Sequence, residues 1–146
     1  MFKYRLEKVL KIREEELDNA ILEMKKAEDH LRNVTQQLSS SIERRNDLHA
    51  ELINEGIAHA QLYVRRIRQL NELIVKLERD VQAAQQALIQ AKETVKETKI
   101  KLEALKKHKE RKHKEFIQEE NRKENIRLDE IGVIKYTREL LASREE

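Results

Sequence analysis

The stretch Tyr63–Leu105, YVRRIRQLNELIVKLERDVQAAQQALIQAKETVKETKIKLEAL, decides the fold. Alternating steps of four and three from Tyr63 land on Ile67, Leu70, Ile74, Leu77, Val81, Ala84, Leu88, Ala91, Val95, Thr98, Leu102 and Leu105, and only Thr98 breaks the apolar run. A spacing of about 3.5 residues held this long, with charged residues between, is the pattern of a helix that winds on another helix. Neither Pro nor Gly interrupts it. The apolar stripe is narrow, so it calls for one or two partner helices and not for a broad core.

A partner lies upstream. The same steps from Leu6 reach Leu10, Arg13, Leu17, Ala20, Met24, Ala27, Leu31, Val34, Leu38, Ser41, Arg45, Leu48 and Leu52. Arg13, Ser41 and Arg45 are polar layers in this weaker seam, expected to fray or to await a partner, with Ile42 available beside Ser41. Between the seams, Asn54-Glu55-Gly56-Ile57-Ala58-His59-Ala60 holds one of the two glycines of the chain. Gly is the usual residue where a helix ends in a left-handed turn. Two long helices joined by so short a loop fold back as an antiparallel hairpin.

The reversal predicts that facing residues have numbers summing to about 115, given the turn's position. Leu48 then faces Ile67, Leu38 faces Leu77, Val34 faces Val81, and Leu31 faces Ala84. Ala27 faces Leu88, Met24 faces Ala91, and Ala20 faces Val95, so small meets large in successive layers, as close packing requires. Leu17, Leu31, Val34, Leu38, Ile67, Leu77, Val81, Ala84 and Leu88 are the expected contact line. The fold class is therefore all-α, a long two-helix antiparallel coiled coil forming a single hairpin over residues 1–146. Its helix 1 runs over about 3–54, its turn over about 55–60 and its helix 2 over about 61–131, with Gly132 as a break. The overhang 115–146 has no partner in this register. Disorder is one reading of it and docking on another protein the other, since Phe116, Ile117, Ile126, Leu128, Ile131, Val133, Ile134, Leu140 and Leu141 lie there.

Composition agrees with this reading. Of 146 residues 40% are charged and 3% aromatic, with no Pro, Trp or Cys, which is the balance of long helices and not of an enzyme domain. Without Cys there is no disulfide framework and no thiolate metal site. The start, Met1-Phe2-Lys3-Tyr4-Arg5, is charged where a secretory leader is apolar, and no run approaches transmembrane length, so a cytoplasmic protein without direct membrane insertion is expected. Net charge is only +3, yet Lys92–Lys114 concentrates Lys and Arg. That block lacks interleaved aromatics and any nucleic-acid motif, so an acidic protein surface fits it better than nucleic acid.

Chemistry is not expected. His30, His49, His59, His108 and His113 do not share a ligand spacing, and paired carboxylates on open helix faces cannot work as an acid and base in one cleft. No glycine-rich phosphate loop or nucleophile elbow occurs. Neither enzyme activity nor a metal or other cofactor is predicted.

Three pieces of the sequence resemble the FliJ family of flagellar export proteins. They are Phe2, Tyr4, Leu6, Val9 and Leu10; Gly56-Ile57 followed by Tyr63, Ile67, Leu70 and Ile74; and Glu120-Asn121-Arg122 leading to Leu128-Asp129-Glu130. The resemblance implies a non-catalytic stalk, similar to the rotary ATPase γ subunit, that sits in the hexameric export ATPase, promotes its assembly, meets the export gate membrane protein and escorts export substrate chaperones. It implies ATPase contacts at Phe2, Tyr4, Leu6, Phe116, Glu120, Asn121, Arg122, Leu128, Asp129 and Glu130. It implies gate contacts at Tyr63, Arg66, Leu70 and Leu73, with Arg66 standing where the family often has an aromatic. A peripheral place at the inner membrane would follow from the gate. Injectisome stalk proteins look alike. A coiled-coil nucleic-acid-binding module and a structural spacer are the readings from other classes.

Overall fold

The computed structural model describes residues 1–145, and in it the chain is an antiparallel two-helix coiled coil. Helix α1 spans Glu7–Glu55 and helix α2 spans Ala60–Glu145, joined through a single 3-10 turn at Ile57–His59. The reversal begins at Gly56, whose φ of 75° lies in the left-handed region. A side chain there would crowd the backbone, which is why the loop needs its glycine. The contacts divide the chain into two units, Arg13–Ile100 and Met1–Ile12 with the chain from Lys101 on, where one hairpin unit is the expectation from sequence.

The unit of Arg13–Ile100 is held by apolar side chains at the predicted spacing. Ala20, Val34 and Leu48 of α1 and Ile67, Ile74, Leu77 and Ala84 of α2 are buried. Leu17, Leu31, Leu38, Val81 and Leu88 are half-buried, as expected where one helix covers only one side of another. Each buried aliphatic side chain contributes about 1.5–3 kcal/mol relative to exposure. Register is visible in a polar pair, Arg45 Nη1 donating to Asn71 Oδ1 at 3.2 Å, which falls within a helical turn of the predicted pairing.

The polar layers are closed locally. Arg13 pairs with Glu16 at 2.9 Å, and Arg45 reaches Asn71; both arginines are half-buried. Ser41 and Ile42 are both half-buried and share one layer. Thr98 donates its hydroxyl to the Thr94 carbonyl at 2.7 Å, so the one polar residue of the α2 seam leaves no unmet hydroxyl inside.

Two boundaries differ from the sequence expectation. Helix α1 starts at Glu7 and not near residue 3: residues 1–4 carry no regular secondary structure and Arg5 and Leu6 form a turn into the helix. Helix α2 does not break at Gly132 but continues to Glu145. One interior Gly costs a helix only about 1 kcal/mol relative to Ala, and its neighbours, among them Glu130, Lys135, Arg138, Glu139 and Leu140, are good helix formers. Thr137 and Ser143 add hydroxyl bonds to the carbonyls of Val133 and Leu140, both at 2.9 Å. The segment 115–145 is thus helical, not a disordered tail, and beyond Phe116 every residue of it is exposed. No helix of the described residues is long and apolar enough to cross a membrane.

Candidate interaction site

In the unit formed by the N-terminal segment and the chain from Lys101 on, Leu10 and Leu102 are buried. Ahead of them residues 1–4 lie outside any helix, and the chain then turns into α1, with Glu7 N–H donating to the Tyr4 carbonyl at 3.2 Å and Leu10 N–H to that of Leu6 at 2.9 Å. Phe2 and Tyr4 are half-buried while Lys3 and Arg5 are exposed.

The inward side of that segment meets α2. The Phe2 ring stands edge-on to His113, centroids 4.9 Å apart at 71°, and lies 5.5 Å from Phe116. Tyr4 stacks obliquely on His108 at 5.6 Å, and its hydroxyl hydrogen bonds the His108 Nδ1. Lys109 closes the outer side with an ion pair to Glu7 at 2.9 Å. Aromatic pairs in such offset or edge arrangements contribute about 0.5–1.5 kcal/mol beyond their burial. The result is a groove of about 750 Å³ whose walls include Phe2, Tyr4, Leu6, His108, Phe116 and Glu119.

Four of the ten residues expected to meet the ATPase, Phe2, Tyr4, Leu6 and Phe116, therefore converge on one groove. The other six, Glu120, Asn121, Arg122, Leu128, Asp129 and Glu130, follow on the open part of α2 and are exposed. Arg122 is exposed but already paired. It grips Glu119 of its own helix with two bonds, from Nε at 3.2 Å and Nη2 at 3.0 Å, because residues three apart share a helix face. The hydrogen bonds and charge of Arg122 hold the Glu119 carboxyl below its ordinary range, and Glu119 in turn raises the Arg122 guanidinium. Glu120 is paired more loosely with Lys123 at 3.9 Å. His108, His113 and Glu119 belong to this site and are not among the residues expected from sequence to meet the ATPase.

Past the groove, α2 carries Ile126, Val133, Ile134, Leu140 and Leu141 with 41–64% of each exposed. Spaced by seven, eight, fourteen and fifteen, they fall on one side of the helix and form a stripe. Ile131 and Leu128 lie farther round.

The residues expected to meet the gate lie in the unit of Arg13–Ile100 and are only partly gathered. Arg66, Leu70 and Leu73 line a shallow groove of about 360 Å³ together with Arg44 and Leu48. Tyr63 is not in its wall. Its hydroxyl donates to Glu55 Oε2 at 2.9 Å, and that bond, with the carboxylate charge behind it, raises the Tyr63 pKa above its ordinary value. Among the described residues no group of three His, Cys, Asp or Glu is placed to hold a metal ion.

The family model of the flagellar FliJ protein matches residues 2–141. Among solved structures, that of CT670 from Chlamydia trachomatis, a proposed YscO homolog, superposes with a TM-score of 0.78 at 23% identity, covering 94% of this chain and 96% of that one. At that identity the likeness bears on the fold. No curated protein sequence matches.

Proposed function

Because the chain belongs to the FliJ family, a family of the flagellar type III export apparatus, we propose that it is the stalk of that apparatus. In this reading it binds the hexameric export ATPase, promotes ring assembly, and links the ring to the export gate and to substrate chaperones. It does so as a scaffold and without catalysis. The observation that carries the reading is the length of α2 that no α1 residue covers. A helix with an exposed apolar stripe is held ready for a groove in another protein. Because the segment is already helical, docking does not also have to meet the cost of ordering it.

The aromatic groove next to this helix supports the same partner. Phe2 and Tyr4 tie the start of the chain to α2, so the free helix leaves from a fixed base. For the gate, the groove of Arg66, Leu70 and Leu73 offers two apolar walls and a cation. Its partner is then an apolar segment flanked by a carboxylate. An injectisome stalk would share this geometry, and which ATPase responds to the protein separates the two.

The test is a chain ended after Gln118, which keeps Phe2 on Phe116 and removes the open helix. With its melting transition retained, it should no longer stimulate the cognate export ATPase. Full stimulation by the shortened chain would move the site to the body of the hairpin.

A further inference from the structure

A second heptad line begins at the foot of the open helix. Steps of four and three from Phe116 land on Glu120, Lys123, Arg127, Glu130, Ile134, Thr137 and Leu141, on a stretch of α2 that is exposed from Ile117 on. Apolar residues stand toward its two ends and opposite charges, Arg127 and Glu130, at its middle. Ile126 and Val133 border the line on one side and Ile131 on the other, about 70–90° from its centre. All three are exposed.

This line fits a copy of itself turned end for end. With facing residues numbered to a sum of about 257, Phe116 meets Leu141, Glu120 meets Thr137, Lys123 meets Ile134 and Arg127 meets Glu130, each contact occurring twice about a two-fold axis. Ile131 then lies beside its own counterpart on one flank, and Ile126 beside Val133 on the other.

Two further features fit the same pairing. Residues 119–130 hold five acidic and three basic side chains, and residues 131–144 hold one acidic and three basic. Antiparallel pairing brings the acidic half toward the basic half, whereas parallel pairing sets like on like. The groove at the foot of the helix, about 750 Å³ and walled by Phe2, Tyr4 and Phe116, is where Leu141 of a second copy arrives. Glu145 arrives there beside Lys112, another residue of its wall.

The cover for this helix must therefore be apolar toward the ends of a line about 38 Å long and charged at its middle. The chain's own helix meets those conditions in reverse order. We infer that two copies of the chain pair antiparallel through residues 116–145, each placing Leu141 in the aromatic groove of the other. The Arg127–Glu130 layers set direction and register. Charged layers in a seam do so at a cost in stability, so the pair is reversible. A protein that takes up the open helix then has to part the two copies, because both use one face.

The chain has no Cys, so introduced thiols report the pairing without background. Full-length variants carry Glu120→Cys, Thr137→Cys or both, and are treated with a short thiol cross-linker. The double variant should give a covalent dimer, since residue 120 of one copy faces residue 137 of the other. Each single variant should stay monomeric, because its two thiols lie about 26 Å apart in the pair. Cross-linking of both single variants would mean parallel pairing, and none of the double variant would mean that the face serves a different protein; either overturns the inference. Sedimentation of the parent should show a monomer–dimer equilibrium. Arg127→Glu sets like charges against Glu130 and should weaken it about tenfold, and adding Glu130→Arg should restore it. A helical melt shows that each variant folds. A parent that stays monomeric at every concentration, or a double reversal that fails to restore pairing, refutes the pairing as well. None of these readouts involves the ATPase, whose stimulation tests the stalk reading separately.

Discussion

Leu48→Ala tests the energetics of the hairpin most directly. Leu48 is 2% exposed, the most buried large side chain of the seam, and the substitution removes three carbons from a layer close to Ile67. Truncations of this kind cost about 2–5 kcal/mol in globular cores, the spread reflecting how far the site collapses. Here a groove lined by Arg66, Leu70 and Leu73 already opens beside Leu48, so neighbours can move in and water can enter. The expected loss is therefore at the low end, about 2–3 kcal/mol. Unfolding entropy of about 2.1 cal/mol/K per residue over 146 residues gives about 0.3 kcal/mol/K. The midpoint should fall by about 7–10 °C in a calorimetric or circular-dichroism melt if the chain melts as one, and by more if Arg13–Ile100 melts alone. Urea unfolding should give the same loss at an unchanged slope. A shift under about 3 °C would mean that Leu48 is not a load-sharing layer and that the register is wrong at this point.

Other substitutions probe separate parts of the argument. Ala84 is 3% exposed, so Ala84→Leu should overpack its layer against α1 and cost about 1–3 kcal/mol; a mutant that melts no lower than the parent removes the small-against-large layers. The two glycines should respond in opposite directions although an added Cβ meets nothing within 4 Å at either. Gly132→Ala should raise helix stability by about 0.8–1 kcal/mol, whereas Gly56→Ala, at a φ of 75°, should cost about 1–2, and equal melting of the pair would contradict both assignments. Glu55→Gln removes the charged acceptor that keeps the Tyr63 hydroxyl neutral, so ultraviolet titration should show Tyr63 ionising at lower pH than in the parent. The sign follows from the raised Tyr63 pKa: the Tyr63–Glu55 bond adds stability below the unfolded tyrosine range and loses it as pH rises through the folded value. An unchanged titration would mean that the bond does not persist in solution.

The fold was legible because its information is periodic. Thirteen seam positions from Tyr63 to Leu105 repeat one contact, and a glycine marks the one place where the repeat must stop. Gly132 shows the limit of the same reasoning. Gly56 and Gly132 are alike as letters, but Gly56 stands at the reversal with a φ of 75°, whereas Gly132 lies inside the open part of α2. At Gly132 the flanking helix formers outweigh a cost of about 1 kcal/mol.

The site was half legible, for a geometric reason. Carrying the about-115 sum back to the start of the chain places Phe2 opposite His113, and the two rings do meet. The same arithmetic fails for Tyr4, because the chain before Glu7 is not helical. Extended backbone advances about 3.3 Å per residue and a helix about 1.5 Å, so the two residues from Phe2 to Tyr4 match about four to five residues of α2. From His113 that step leads to the neighbourhood of His108, which is where Tyr4 is found. The signal for extended backbone was present in Phe2-x-Tyr4-x-Leu6, an alternation of period two, but it abuts a seam of period 3.5 that begins at the same Leu6. Where two periods share a residue, the longer run masks the shorter. The contacts that tie the chain's start to α2 lie on the masked side of that boundary.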